Sequence, residues 1–209
     1  MIQLVVIGAG GFGREVWNIA QRINSKEHRF HLLGVLDDGL TEENAALLRR
    51  LRAPYLGKLS WLDSAPIQVQ AVIGIGSSHA RRVVDKRFEG RSWATLIHPD
   101  TTIGMDVVIA DGSVIAAGTR MSTAISVGRH SQIDQNVTVG HDSTLGDYSR
   151  LNPQACISGN VHIGEGATIG ANATVIQGLT VGESSLVGAG SVVTRDVPSR
   201  RIVKGVPAR

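Results

Sequence analysis

The chain has 209 residues, 42% hydrophobic and 19% charged, with a formal net charge of +3. That length allows one large or two small globular domains, and the basic residues form no long run of the kind that binds nucleic acid. The single cysteine excludes a disulfide framework and fits a reducing compartment.

The opening MIQLVVIGAGG has no basic leader, and its apolar stretch runs directly into a glycine turn. No signal peptide is expected, and no apolar run nears the roughly 18 residues that span a bilayer. The expectation is a soluble cytoplasmic protein without a membrane partner. Residues 4–13, LVVIGAGGFG, predict a buried strand and a tight turn, with Gly8, Gly10 and Gly13 at dinucleotide-fingerprint spacing. Bare glycines there let a phosphate approach the N-terminus of the helix predicted from REVWNIAQRI. A second strand, HLLGVLDD, ends in Asp37-Asp38; TEENAALLRRLR predicts a helix; QAVIGIGSSHARRVVDKRF predicts a strand, a polar turn and another helix. The sum is a compact βαβαβ unit of Rossmann-like type, with room for about one mononucleotide-binding half. A nucleotide diphosphate group therefore fits better than a whole dinucleotide.

Composition changes after Trp93. Seven of the eight aromatic residues lie at or before it, and lysine is absent between Lys86 and Lys204. Every sixth residue from Ile97 to Val193 is then aliphatic or Met, seventeen positions without an insertion. Period six is the signature of a parallel β-helix, in which each hexad is a short strand and a corner. Three hexads close one triangular coil, so residues 18 apart stack. The aliphatic row fills a narrow shaft, and each buried member contributes roughly 1.5–3 kcal/mol gross. Small residues four positions on, such as Ser113, Val137, Ala155 and Ala173, let the chain bend, and glycine or Asn/Asp relieves the corners where φ turns positive. The domains expected are residues 1–95 and 96–209.

One hexad carries an imidazole and a carboxylate, His141-Asp142 within VTVGHDSTLGDY. Neighbours on a straight strand point oppositely, so the two must sit on a corner to meet. Cys156 is a candidate nucleophile, but no histidine lies in its hexad or one coil before it. No histidine stacks on another in the period of 18, so no metal is expected.

The ordered motifs VIGAGGFGRE, VLDD, VIGIGSSHARR, LIHPDTTIG, the hexads with VGHD and GNVHIG, VGAGSVVTRDVP and GVPAR span nearly the whole chain. Together they resemble the hexapeptide-repeat acyltransferases of the sialic acid O-acetyltransferase and nucleotide-aminosugar N-acetyltransferase family. The resemblance implies a left-handed β-helix, against the usual crossover preference, and a homotrimer with active sites between neighbouring prisms. It implies a head that holds a sugar nucleotide and a prism that binds acetyl-CoA. Carried over by motif, His141 and Asp142 are catalytic. Gly8, Gly10, Gly11, Phe12 and Gly13 face the diphosphate, Asp37 and Asp38 lie near the nucleoside, and Ser77 and Ser78 lie near a second glycine-containing turn. The Gly159 backbone would bind the thioester carbonyl. Arg150 stands where several relatives have a histidine, and its guanidinium could instead reach a CoA phosphate. Arg200, Arg201 and Lys204 are further candidates for the CoA phosphates.

The chemistry implied is transfer of acetyl to a sugar amine, with His141 as general base and Asp142 orienting it. The alternatives are O-acetylation of a sialic acid or other sugar, an NAD-dependent oxidoreductase built on the glycine turn, and a non-catalytic scaffold with a nucleotide-sensing head.

Overall fold

The structure, a computed structural model, describes residues 1–209 and divides into two compact units, Met1–Pro99 and Asp100–Arg209.

The first unit runs β1 (Ile2–Ile7), α1 (Gly11–Glu27), β2 (Phe30–Leu36), α2 (Glu42–Arg50), β3 (Tyr55–Gly57), α3 (Trp61–Ser64), β4 (Gln70–Ile73) and α4 (Ser78–Arg87). Its sheet has the order β3-β2-β1-β4, and all three pairings are parallel. The central strand β1 buries Leu4, Val5, Val6 and Ile7 completely, as a strand covered on both faces must. Helix α1 buries Val16, Trp17, Ile19, Ala20 and Ile23, spaced at helical intervals. It ends at His28 in the left-handed conformation, and Asn24 fixes the exit by accepting the Phe30 N–H (2.8 Å) and donating to its carbonyl (2.7 Å). The predicted βαβαβ unit is thus present with two additions, β3 and α3. Both are short, and neither holds enough residues to show a period. Because β2 and β4 lie on opposite sides of β1, the chain changes direction beside the C-terminal end of β1. Ligands of open α/β sheets bind at such a point.

The second unit is a three-sided coil of two- and three-residue strands in parallel sheets. Residues 18 apart pair from Thr102 to Val193, for example Thr138 with Cys156 and Val139 with Ile157, and only the last pairings, such as Leu186 with Ile202, shorten to 16. The aliphatic row from Ile115 to Val193 is buried at every position, and so are Ser113, Val137, Ala155 and Ala173 beside it. At the start of the row Ile103 is 38% exposed, where the shaft opens.

The corners repeat as strictly as the shaft. At every sixth residue from Asp106 to Gly190, φ lies between 51° and 75°, whatever the side chain. The set includes Ala124, His130, Tyr148 and Gln154 as well as glycine, Asn and Asp. The glycines that follow the aliphatic residues serve another purpose. At Gly140 a Cβ would stand 2.5 Å from the backbone nitrogen of Gly159, so the space between adjacent coils requires its absence.

Candidate active site

His141 and Asp142 form the turn between the strands Thr138–Val139 and Thr144–Leu145, on two different faces of the coil. Asp142 occupies the corner position with φ of 59°, and its N–H donates to the Thr123 carbonyl one coil earlier (3.1 Å). The His141 carbonyl accepts the N–H of Asn160 one coil later (2.7 Å). With its backbone held from both sides, the turn brings the two side chains together. Nδ1 of His141 lies 2.7 Å from Oδ2 of Asp142. An ionised carboxylate can only accept, so Nδ1 carries a proton, and in the neutral imidazole Nε2 then keeps the lone pair. The two side chains are 62% and 60% exposed, so that lone pair is open to an incoming molecule.

Gly159 lies beneath the ring. A Cβ there would stand 2.5 Å from Nε2 and 2.6 Å from Cε1 of His141, so the imidazole rests in the space a side chain would fill. The Gly159 N–H makes no hydrogen bond within the chain, while its carbonyl accepts from Gly178 (3.0 Å). His141, Asp142 and Gly159 therefore form one cluster. Arg150 does not join it. Its strand, Arg150–Leu151, belongs to the third face, opposite the His141 corner. There Nη2 donates to Oδ2 of Asp134 (3.0 Å), a carboxylate only 3% exposed. His130 and Tyr148 stack at the next corner, with centroids 5.6 Å apart and planes within 5°. Cys156 is exposed on a strand face between Thr138 and Thr174.

Among the basic residues near the C-terminus, Arg201 lines a cavity of about 430 Å³ with Arg195, Asp196, Pro198 and Arg209. Arg200 and Lys204 are exposed and do not line it. Arg209 belongs to the C-terminal basic cluster that the sequence offers with Arg200, Arg201 and Lys204 as a phosphate contact; Arg195 was not singled out from the sequence, although VTRDVP contains it.

In the first unit the turn after β1 and the turn after β4 enclose a cavity of about 310 Å³, lined by Gly8, Gly10, Gly11, Phe12, Asp37, Gly74, Ile75 and Gly76. The glycines divide by role. A Cβ on Gly13 would strike the Gly8 carbonyl, so Gly13 is a packing glycine. Gly10 and Gly11 face open space, and Gly10 caps α1 without any side chain. Asp37 accepts the Ala9 N–H at Oδ2 and the Gly39 N–H at Oδ1, both at 2.7 Å, and so ties the end of β2 to the glycine turn. Asp38 accepts the Leu59 N–H (2.8 Å) and lines an adjoining cavity with Leu59, Ile75 and Val84. Ser77 and Ser78 do not line either one. Ser77 instead caps α4, accepting the Ala80 N–H (3.3 Å).

No three His, Cys, Asp or Glu side chains come together as a metal-binding group, and no helix is long and apolar enough to cross a membrane.

Residues 3–88 match the family described as the PglD N-terminal domain, and residues 160–195 match the bacterial transferase hexapeptide family of six repeats. Two solved structures superpose with a TM-score of 0.85. One is a histidine-to-asparagine variant of perosamine N-acetyltransferase from Caulobacter crescentus in complex with CoA and GDP-perosamine, 26% identical over 99% of this chain and 95% of that one. The other is WeeI from Acinetobacter baumannii AYE, 28% identical over 100% of this chain and 99% of that one. The chain thus joins a PglD-type N-terminal domain to hexapeptide repeats of the bacterial transferase type. The acetyltransferase domain of PglB from Neisseria gonorrhoeae FA1090, in complex with acetyl coenzyme A, is also similar, with a TM-score of 0.72 and 28% identity over 100% of this chain and 98% of that one. No curated protein matches the chain. The three-sided coil is accordingly the left-handed parallel β-helix that the motifs implied.

Proposed function

We propose that this protein moves the acetyl group of acetyl-CoA to the amino group of a nucleotide-linked aminosugar. The observation that carries the reading is the exposed His141–Asp142 pair seated on Gly159. It is supported by likeness to perosamine N-acetyltransferase, whose structure holds CoA and GDP-perosamine.

In this reading the prism (residues 96–209) binds acetyl-CoA and the head (residues 1–95) binds the sugar nucleotide. The sugar amine attacks the thioester carbonyl, and His141 Nε2 takes the proton that the nitrogen sheds. Asp142 fixes the tautomer and stabilises the imidazolium. Negative charge developing on the carbonyl oxygen needs a donor that is not already committed, and the Gly159 N–H is one. The tetrahedral adduct collapses with loss of the CoA thiolate, which the imidazolium proton neutralises. The base contributes roughly 10²–10⁴ in rate, and holding both substrates in place can contribute more. Gly8, Gly10, Gly11 and Phe12 take the diphosphate, Asp37 and Asp38 lie beside the nucleoside, and Arg195, Arg201 and Arg209 suit the CoA phosphates. A homotrimer, in which each His141 corner meets a neighbouring prism, completes the site.

The test is thiol release from acetyl-CoA with a panel of GDP-, UDP- and dTDP-linked aminosugars and free sialic acid, with the product read by mass spectrometry. Acetylation of a nucleotide-linked amine is expected. Turnover of sialic acid alone would move the acceptor from nitrogen to oxygen, and binding of NAD without acetyl-CoA would overturn the reading.

A further inference from the structure

Arg81 is completely buried, although the motif SSHARRVVDKR in which it lies has the composition of a solvated helix face. From α4 its Nη1 donates to two successive backbone carbonyls, of Ile75 (3.1 Å) and Gly76 (2.8 Å). Those carbonyls belong to the turn after β4, which forms one wall of the diphosphate cavity, yet Arg81 itself does not line that cavity.

A trans peptide points its carbonyl and the following N–H in opposite directions. With the carbonyls of Ile75 and Gly76 drawn towards the guanidinium, the N–H groups of Gly76 and Ser77 face away from it. Neither N–H makes a hydrogen bond within the chain. The cavity has no lysine or arginine in its lining, and its one charged side chain, Asp37, is acidic. The turn after β1 is held in the same manner. Arg14 Nη1 donates to the Ala9 carbonyl (2.9 Å), and the next N–H, of Gly10, is likewise uncommitted.

We infer that Arg81 is a positioning residue of the nucleotide-sugar site: from behind the second turn it keeps carbonyl oxygens out of the cavity, presents the Gly76 N–H in the cavity wall to the diphosphate, and leaves the next N–H, of Ser77 just beyond the lining, uncommitted for the same ligand. The inference rests on the head being the nucleotide-sugar site and adds a residue that acts there without touching the ligand. If Arg81 is lost, either peptide can rotate, and a carbonyl oxygen then meets a phosphate oxygen where an N–H stood.

The experiment is isothermal titration of wild type, Arg81→Met and Arg81→Lys with GDP, UDP and dTDP, and separately with acetyl-CoA. For whichever nucleotide the wild type binds, Arg81→Met is expected to weaken affinity roughly 10- to 100-fold, the range for losing charge-assisted hydrogen bonds. Acetyl-CoA affinity should not move. Arg81→Lys should fall between, because an ammonium lacks the planar fork that spans two acceptors. A merely structural role would lower the number of competent sites, or the melting temperature, and leave the dissociation constant of the remaining sites unchanged; that result overturns the inference. If Arg81→Met fails to fold, Ser77→Pro tests the same claim. Ser77 has φ of −69°, which proline adopts, so the substitution deletes the N–H without φ strain at that residue; it also removes the Oγ cap of Ala80, which Ser77→Ala removes alone and so controls for. Nucleotide affinity equal to wild type in Ser77→Pro would overturn the inference too. A wild type that binds none of the three nucleotides overturns the reading of the site itself.

Discussion

In the prism, His141 owes its place to a register that repeats every 18 residues, so that Thr123, His141 and Gly159 are stacked before any side chain is chosen. In the head, the turn from Gly8 to Gly13 owes its shape to Asp37, Gly74 and Arg14, which follow no period. The difference decides what a substitution can do. A prism corner is held by the coils above and below it, so its side chain is free to carry chemistry. A head turn is held by the same few contacts that shape the cavity, so structure and binding change together.

The sharpest test of that contrast is His141→Asn, expected to lower kcat by roughly 10²–10⁴, the loss of a general base. Circular dichroism, melting temperature and acetyl-CoA affinity should stay at wild-type values. Activity close to wild type would remove His141 as the base. Gly159→Ala should come next. Its methyl group would displace the imidazole while the coil register holds, lowering kcat roughly 10- to 100-fold, and a crystal structure should show the ring moved off Nε2 alignment with unchanged strands. On the head side, Asp37→Asn leaves one acceptor oxygen for two N–H donors. A loss of about 1–3 kcal/mol follows from the orphaned group, so the head should melt earlier and KM for the sugar nucleotide should rise in the same variant. Unchanged melting with raised KM would show that the two units do not differ in this way. The smallest effect is Cys156→Ala, expected to be silent in steady-state kinetics, because the thiol is exposed on a strand face beside Thr138 with no histidine in its own hexad to activate it. A large fall in kcat would revive an acyl-enzyme route.

The hexad row could be read from sequence because the shaft admits one kind of side chain and asks for it every sixth residue. The corner conformation could not. Asp106, Ala124, His130, Tyr148 and Gln154 share φ near the left-handed region but share no composition, since the stacked coils impose the turn on whatever residue arrives there. The same logic made His141-Asp142 conspicuous, as a titratable pair in a repeat that does not need one. Arg150, read from sequence as a contact to a CoA phosphate, stands nine residues after His141, which is half a coil, so it lies on another face and pairs there with Asp134. In the head the signals were weaker. The three residues of β3 are too few to show a pattern, Ser77 proved to be a helix cap, and Arg81 could not be picked out because its acceptors are backbone atoms that leave no mark in sequence.

The repeat pairing of each residue with the one 18 places on has an evolutionary consequence. Adding a full coil upstream of His141 would lift the imidazole by one strand spacing, about 4.8 Å, and leave it facing the same way. Adding a single hexad would swing it a third of a turn onto a different edge. Length changes that preserve activity in such a prism should therefore come in whole turns, or else bulge outward as loops that leave the winding untouched.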